Sequence, residues 1–398
     1  MLFSLSLVFL VGLSAAEICR KIRLPRIIGM LATGIVLGPY VLDLLDPSIL
    51  SISSELRKIA LIIILLKAGL SLNISDLKKV GRPAVLMAFL PASFEILGYV
   101  LFAPLLLGIN TVEAAVMGAV LGAVSPAVVV PRVVRLMDEK IGTDKSIPQL
   151  IMAGASCDDI FVIVVFTAFL GMAQGEAVNA ADFLNIPVSI ILGVLLGIAV
   201  GLVLSMFFEL SYRRGHCIRN SVKVIVVLGF SFLLVTVEAW LEGIVAISGL
   251  LAVVGMACVI KRKAPEAVSN RLSEKFGKLW LAAEVILFVL VGAAVDIRYM
   301  MGAGLAAVGM IFIALAFRAV GVLLCLIRTP LSRHERIFCV IAYLPKATVQ
   351  AAIGSVPLSA GLACGNIVLS VAVMAIIITA PLGAFLMDSL YKKLLKNE

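Results

Sequence analysis

Charge is scarce in this sequence. Asp, Glu, Lys and Arg make up 14% of its 398 residues, against about 25% in ordinary soluble domains. With 62% hydrophobic residues and a mean hydropathy of +1.17, a water-soluble globule is excluded. The strict alternation of barrel strands is missing too, because the apolar runs are of helix length. Lipid leaves backbone groups no partner outside helices and closed barrels, so the class is a polytopic α-helical membrane protein. No CxxC pair or other metal-ligand spacing occurs. The seven cysteines (19, 157, 217, 258, 325, 339 and 364) stand singly, mostly in apolar runs, and read as reduced and structural. Only two histidines are present, His216 and His334, both in expected loops, where a solvated side chain and a pH sensor are the two readings. A Gly-rich phosphate cradle and a nucleophile constellation are absent as well, so neither ATP drive nor an enzyme is implied.

What is present is organised around Gln149 to Gly171, an apolar run that carries adjacent carboxylates, Asp158 and Asp159, near its middle. A helix from about Ile147 places the pair roughly 17 Å deep in a hydrocarbon core of about 30 Å. Two ionised residues facing lipid there cost about 5–7 kcal/mol. Such residues face a protein interior or a water-filled cavity, where they handle ions or protons. The alternative is two acids held in a structural network.

Thirteen apolar segments cover roughly 2–18, 26–42, 56–73, 83–108, 112–136, 147–173, 184–211, 218–238, 241–260, 279–296, 300–327, 336–357 and 363–390. The first resembles a signal peptide, but its charge follows the run rather than preceding it, so it reads as a transmembrane helix. Alternate loops and the C-terminal tail hold 27 of the 33 basic residues. That asymmetry puts the N-terminus outside and the C-terminus in the cytoplasm. An odd number of spans lets helices 1–6 and 8–13 form two inverted six-helix repeats joined by helix 7, an arrangement common in secondary transporters. The connection 261–278 carries Val268, Leu272 and Phe276 at helical spacing, which fits either a surface helix on anionic lipid or a solvated loop.

Helix 5 contains Ser125-Pro126 and then Pro131; helix 12 contains Pro345-Lys346 in the corresponding place. Proline withdraws a backbone donor and pushes its predecessor out of the α region. Matched interruptions in two halves point to a midplane site, where broken helices offer carbonyl oxygens to a small hard cation such as Na⁺ or Li⁺. Lys346 is expected either to neutralise the negative inner ends of the broken helices or to pair with an Asp. Glu95 and Arg318, each alone in the fourth helix of its half, are expected to pair, unless Arg318 faces Asp158. Being always protonated, Arg318 does not carry the transported proton. Glu284 and Lys67 lie near span ends, where long side chains snorkel to the interface.

The stretches LGAVSPAVVVP (121–131), ASCDDI (155–160) and LPKATVQAAIG (344–354) resemble the monovalent cation:proton antiporter superfamily, and within it the branch that includes the animal NHA exchangers. Weaker similarity covers most of the chain. The resemblance implies the sodium/proton antiporter fold, with thirteen or fourteen helices, crossed broken helices, and a homodimer in which a mobile core moves against a static dimerisation domain. Transferred here, 82–173 and 300–390 are the core, 1–75 and 218–296 the dimerisation side, and 184–211 the linker. The family's ion-binding aspartate falls on Asp159 and its neighbour on Asp158, with Ser125 beside them in the break. The glutamate partner falls on Glu95, and the membrane-embedded basic residue on Arg318, where several electrogenic relatives carry lysine.

The activity so implied is exchange of Na⁺ or Li⁺ for H⁺ at Asp159 and Asp158, in a cell membrane read as a prokaryotic plasma membrane. A potassium/proton exchanger and a sodium-coupled organic-solute symporter remain open on the same fold. An intramembrane aspartyl protease needs its aspartates on facing helices, whereas these are adjacent, about 100° apart on one helix. A channel needs an open polar stripe that the sequence does not provide.

Overall fold

The computed structural model describes all residues except Arg23 and the segments 72–80, 175–179, 215–217, 242–246 and 396–398. His216 and Cys217 therefore lie outside the described residues. The described chain is all-helical: α1 (Leu2–Lys21), α2 (Arg26–Leu37), α3 (Pro47–Ser51), α4 (Ser53–Ser71), α5 (Arg82–Met87), α6 (Leu90–Leu107), α7 (Thr111–Leu121), α8 (Pro126–Asp138), α9 (Ile147–Ala173), α10 (Ala180–Arg213), α11 (Asn220–Trp240), α12 (Gly249–Lys263), α13 (Glu266–Ala293), α14 (Ile297–Cys325), α15 (Arg333–Ala342), α16 (Thr348–Ile353), α17 (Val356–Ser359) and α18 (Gly365–Leu394).

Among the described residues nine stretches are long and apolar enough to cross a membrane, against the thirteen expected. The four that fall short have local reasons. The helix from Arg26 stops at Leu37, where Gly38 turns extended. α4 carries Glu55, Arg57, Lys58 and Lys67 within 19 residues. α12 begins only at Gly249, and the run 336–357 is divided between two short helices. Hydropathy counts apolar length, not unbroken helix. The inverted repeats expected from the odd span count are accordingly not established by these helices.

Two further expectations change. Pro131 does not interrupt its helix, because α8 runs through it to Asp138; membrane helices tolerate one lost backbone donor. The connection 261–278 is helical rather than a loop for most of its length. Its residues from Glu266 onward open α13, and Leu272 and Phe276 are buried. An apolar stripe at i, i+4 reads the same whether it meets lipid or protein.

The chain divides into two compact units, one of Met1–Arg57, Asn73–Gln174 and Val285–Glu398, the other of Lys58–Leu72 and Gly175–Glu284. In the second, α10 lies so close to α12 that a Cβ on Gly197 would stand 2.2 Å from the Ala252 carbonyl oxygen. The first unit contains α6, α7, α8, α9 and α14 to α18. There α6 and α14 run against each other, and Gly321 makes the approach possible: a Cβ at that position would sit 2.8 Å from Pro91 Cα. Capping boxes fix where two of these helices start, Asn110 with Glu113 for α7 and Ser332 with Glu335 for α15. Glu335 is buried and also accepts from Lys145 Nζ at 2.9 and 3.0 Å, which ties the connection between α8 and α9 to the start of α15.

Candidate functional site

Two breaks meet in the first unit. α7 ends at Leu121 and α8 starts at Pro126, leaving Gly122–Ser125 non-helical; α15 ends at Ala342 and α16 starts at Thr348, leaving Leu344–Ala347 non-helical beyond a turn at Tyr343. Both breaks fall at the prolines marked in the sequence. The breaks bond to each other: Ser125 N donates to the Pro345 carbonyl at 2.8 Å. Pro345 in turn packs on α18, where Gly383 leaves room for its ring. A Cβ on Gly383 would lie 2.5 Å from Pro345 Cγ and 2.8 Å from Cδ. The ring cannot swing aside, so Gly383→Ala is expected to lower stability by about 1–3 kcal/mol through overpacking. Thermal melting of the purified variant checks this, and a native melting curve would show that the ring has slack.

Arg318, on α14, is the hub of the crossing. Its Nε donates to the Tyr343 carbonyl at 2.7 Å, and Nη1 donates to Glu95 Oε2 at 2.7 Å and to the Gly122 carbonyl. Nη2 donates to Asp158 Oδ2 at 2.8 Å. One guanidinium thus serves a carbonyl at the end of each broken helix and two carboxylates, using four of its five N–H groups. The sequence left two partners open for Arg318, Glu95 and Asp158, and the structure gives it both. Lys346 was expected either to neutralise the inner ends of the broken helices or to pair with an Asp; the hydrogen bonds to those ends come from Arg318, and the carboxylate Lys346 pairs with is Glu95. The planar fork can reach both ends at once, whereas an ammonium is a point charge. Lys346 turns its Nζ to Glu95 Oε2 at 2.5 Å, and its backbone N donates to Thr379 Oγ1 at 2.9 Å.

Glu95, Asp158, Arg318 and Lys346 are each no more than 1% exposed, and together they carry two negative and two positive charges. Asp158 Oδ2 also accepts from Val124 N at 2.7 Å, which joins α9 to the first break. Asp159 is different. It is 8% exposed, and among the described residues no Lys or Arg pairs with it. Among the described residues its Oδ1 has no hydrogen-bond partner, and neither do Asp158 Oδ1, Ser125 Oγ and Thr348 Oγ1. The carbonyls of the first break were expected to be exposed, but those of residues 121, 122 and 123 all accept hydrogen bonds, from Gln350 or Arg318. The side-chain oxygens without a partner among the described residues, those of Asp159, Asp158, Ser125 and Thr348, are the ones left free to bind a cation outright. The other candidates lie elsewhere: His334 is exposed, and Lys67 and Glu284 are half-buried in the second unit.

Gln350, Thr379 and the Tyr343 carbonyl are members of the crossing that sequence reasoning did not find. Gln350 carried no capping signal, because the residue three before it is Ala347, which cannot supply the side-chain half of a capping box.

The family profile described as sodium/hydrogen exchanger, transmembrane, matches residues 5–388. Sodium/hydrogen exchanger 9B2 of Homo sapiens is 33% identical over 393 residues, covering 94% of this chain and 70% of its own length. Sodium/hydrogen exchanger 9B1 of Mus musculus is 31% identical over 421 residues, covering 100% of this chain and 72% of its own. These curated relatives are animal proteins and lend no support to a prokaryotic membrane. Among solved structures, the sodium proton antiporter MjNhaP1 from Methanocaldococcus jannaschii is similar in fold, with a TM-score of 0.83 and 23% identity over 98% of this chain and 97% of that one.

Proposed function

The chain belongs to the sodium/hydrogen exchanger family, and on that premise we propose that it exchanges Na⁺ or Li⁺ for H⁺ by alternating access. It is a membrane transporter, and cation and proton compete for Asp159, with Asp158 and Ser125 beside it. One observation carries this reading: Asp159 is a buried carboxylate without a basic partner among the described residues, next to a network whose charges already balance. A cation or a proton supplies the missing charge. Glu95, Arg318 and Lys346 hold the network, and Arg318 occupies Asp158 on one oxygen while leaving the other open.

In the same reading 82–173 and 300–390 form the moving core, which is where every residue of the crossing lies, while 1–75 and 218–296 form the dimerisation side of a homodimer and 184–211 links them. Two inverted six-helix repeats, an outside N-terminus and a cytoplasmic C-terminus complete the proposal. The loaded core is neutral at Asp159 and crosses; the empty core carries an uncompensated charge that is expensive to move past an apolar barrier.

Competition for one site has a measurable signature. In proteoliposomes the Na⁺ concentration for half-maximal exchange is expected to rise as pH falls, by up to about tenfold per pH unit, the limit set by one competing proton. The same titration with Li⁺ and K⁺ names the preferred ion. An apparent affinity unchanged over two pH units around the optimum would refute the shared site. Na⁺ uptake that requires an organic solute would favour the symporter instead.

A further inference from the structure

The backbone of the first break is spoken for in an unequal way. Arg318 takes the carbonyl of Gly122, but the carbonyls on either side of it belong to a neutral side chain. Gln350 Nε2 donates to Ala123 O at 2.8 Å and to Leu121 O at 3.4 Å. The other end of the same amide, Oε1, accepts from Ala347 N at 2.8 Å, inside the second break. Two acceptors on the nitrogen side and one donor on the oxygen side fix which way the amide faces. Gln350 is fully buried and uses both ends. Its side chain bonds to both breaks without carrying a charge, alongside the direct Ser125–Pro345 backbone bond.

We propose that Gln350 is a positioning and specificity-determining residue. By donating to the Leu121 and Ala123 carbonyls, it holds both toward its own amide and weakens them as ligands, which favours side-chain oxygens, those of Asp159 and Asp158 foremost. This rests on antiport at Asp159 and specifies which ion that site prefers. A few oxygens of high charge suit a small hard cation such as Na⁺ or Li⁺. A larger cation such as K⁺ is served by a greater number of carbonyl dipoles that together replace its hydration shell. With the amide gone, two more carbonyls become available next to the site, and the link between the breaks loosens. Both changes erode the advantage of the small ion.

The test compares the native chain with Gln350→Leu and Gln350→Glu in proteoliposomes, measuring KM and kcat for Li⁺, Na⁺ and K⁺. Gln350→Leu is expected to reduce the ratio of KM for K⁺ to KM for Na⁺ by about tenfold, a factor of the size one buried hydrogen bond carries. A role confined to stability would lower turnover for all three ions alike and leave that ratio where it was, which would overturn the inference. Gln350→Glu decides the matter if the leucine variant does not fold. Its ionised carboxylate has no hydrogen to give either carbonyl, while the protonated form has one. Its preference for Na⁺ over K⁺ is therefore expected to recover as pH is lowered. A native ratio at every pH in that variant would count against the inference. Exchange absent from the native chain itself would overturn the antiport reading and this inference with it, whereas native exchange with unaltered selectivity in the variants would overturn this inference alone.

Discussion

Asp159→Asn is expected to reduce cation-dependent proton movement to the level of protein-free liposomes while the variant still folds. The expectation follows from charge. Glu95 and Asp158 are balanced by Arg318 and Lys346, so the network needs nothing from outside. Asp159 has no such partner among the described residues, and in the proposed mechanism it carries the charge that a transported ion neutralises. Asparagine keeps the shape and removes the charge. A core that is neutral whether empty or loaded has no reason to wait for a cation, and nothing for a proton to displace. Stability should hold or improve, because burying an amide costs less than burying a lone carboxylate. Proton flux after addition of Na⁺, Li⁺ or K⁺, with a melting curve for the same preparation, checks both halves. Robust exchange in a well-folded variant would move the site away from Asp159.

Asp158→Asn should behave otherwise, because Asp158 is a structural anion as well as a neighbour of the site. Its Oδ2 receives both Arg318 Nη2 and Val124 N. An asparagine oxygen still accepts both bonds but leaves one of the two cations without its counter-charge.

The parts of this arrangement that could be read from the sequence are those that lipid makes expensive. Adjacent aspartates in the middle of an apolar run, a lone arginine and a lone glutamate each had to be explained, and prolines 126 and 345 mark both breaks by withdrawing backbone donors. What could not be read was the sharing. Glu95 Oε2 accepts from Arg318 and Lys346 together, and no spacing in the chain distinguishes a triad from a pair. Thr379 was equally silent. Buried hydroxyls on helices commonly bond back to their own backbone, as Thr33 does to Gly29 and Ser231 to Val227, so one that accepts from Lys346 N has no distinguishing mark. Among the described residues only nine of the thirteen expected spans appear as helical stretches long and apolar enough to cross a membrane, for a related reason, since apolar length survives a break that ends the helix.

Arg318→Met is expected to have the largest effect on stability of any substitution in the first unit. Methionine restores much of the volume and none of the bonds. The Tyr343 and Gly122 carbonyls lose a donor at the ends of α15 and α7, and Asp158 keeps only Val124 N. Glu95 retains Lys346, so the remaining imbalance falls on Asp158. Breaking a buried ion pair from one side costs about 3–5 kcal/mol, before the orphaned carbonyls are added. The readout is a lower apparent melting temperature or failure to accumulate, and either outcome fits. Arg318→Lys separates charge from geometry. It keeps the positive charge, but three hydrogens on one nitrogen cannot reach four acceptors spread over two breaks and two helices. Partial recovery of stability, with slower exchange than the native chain, is therefore expected of lysine. If lysine restored both in full, charge alone would account for Arg318, and its fork would have no part in joining the broken helices. If Arg318→Met melted like the native chain, the crossing would be held by the Ser125–Pro345 bond and the Gln350 amide without it.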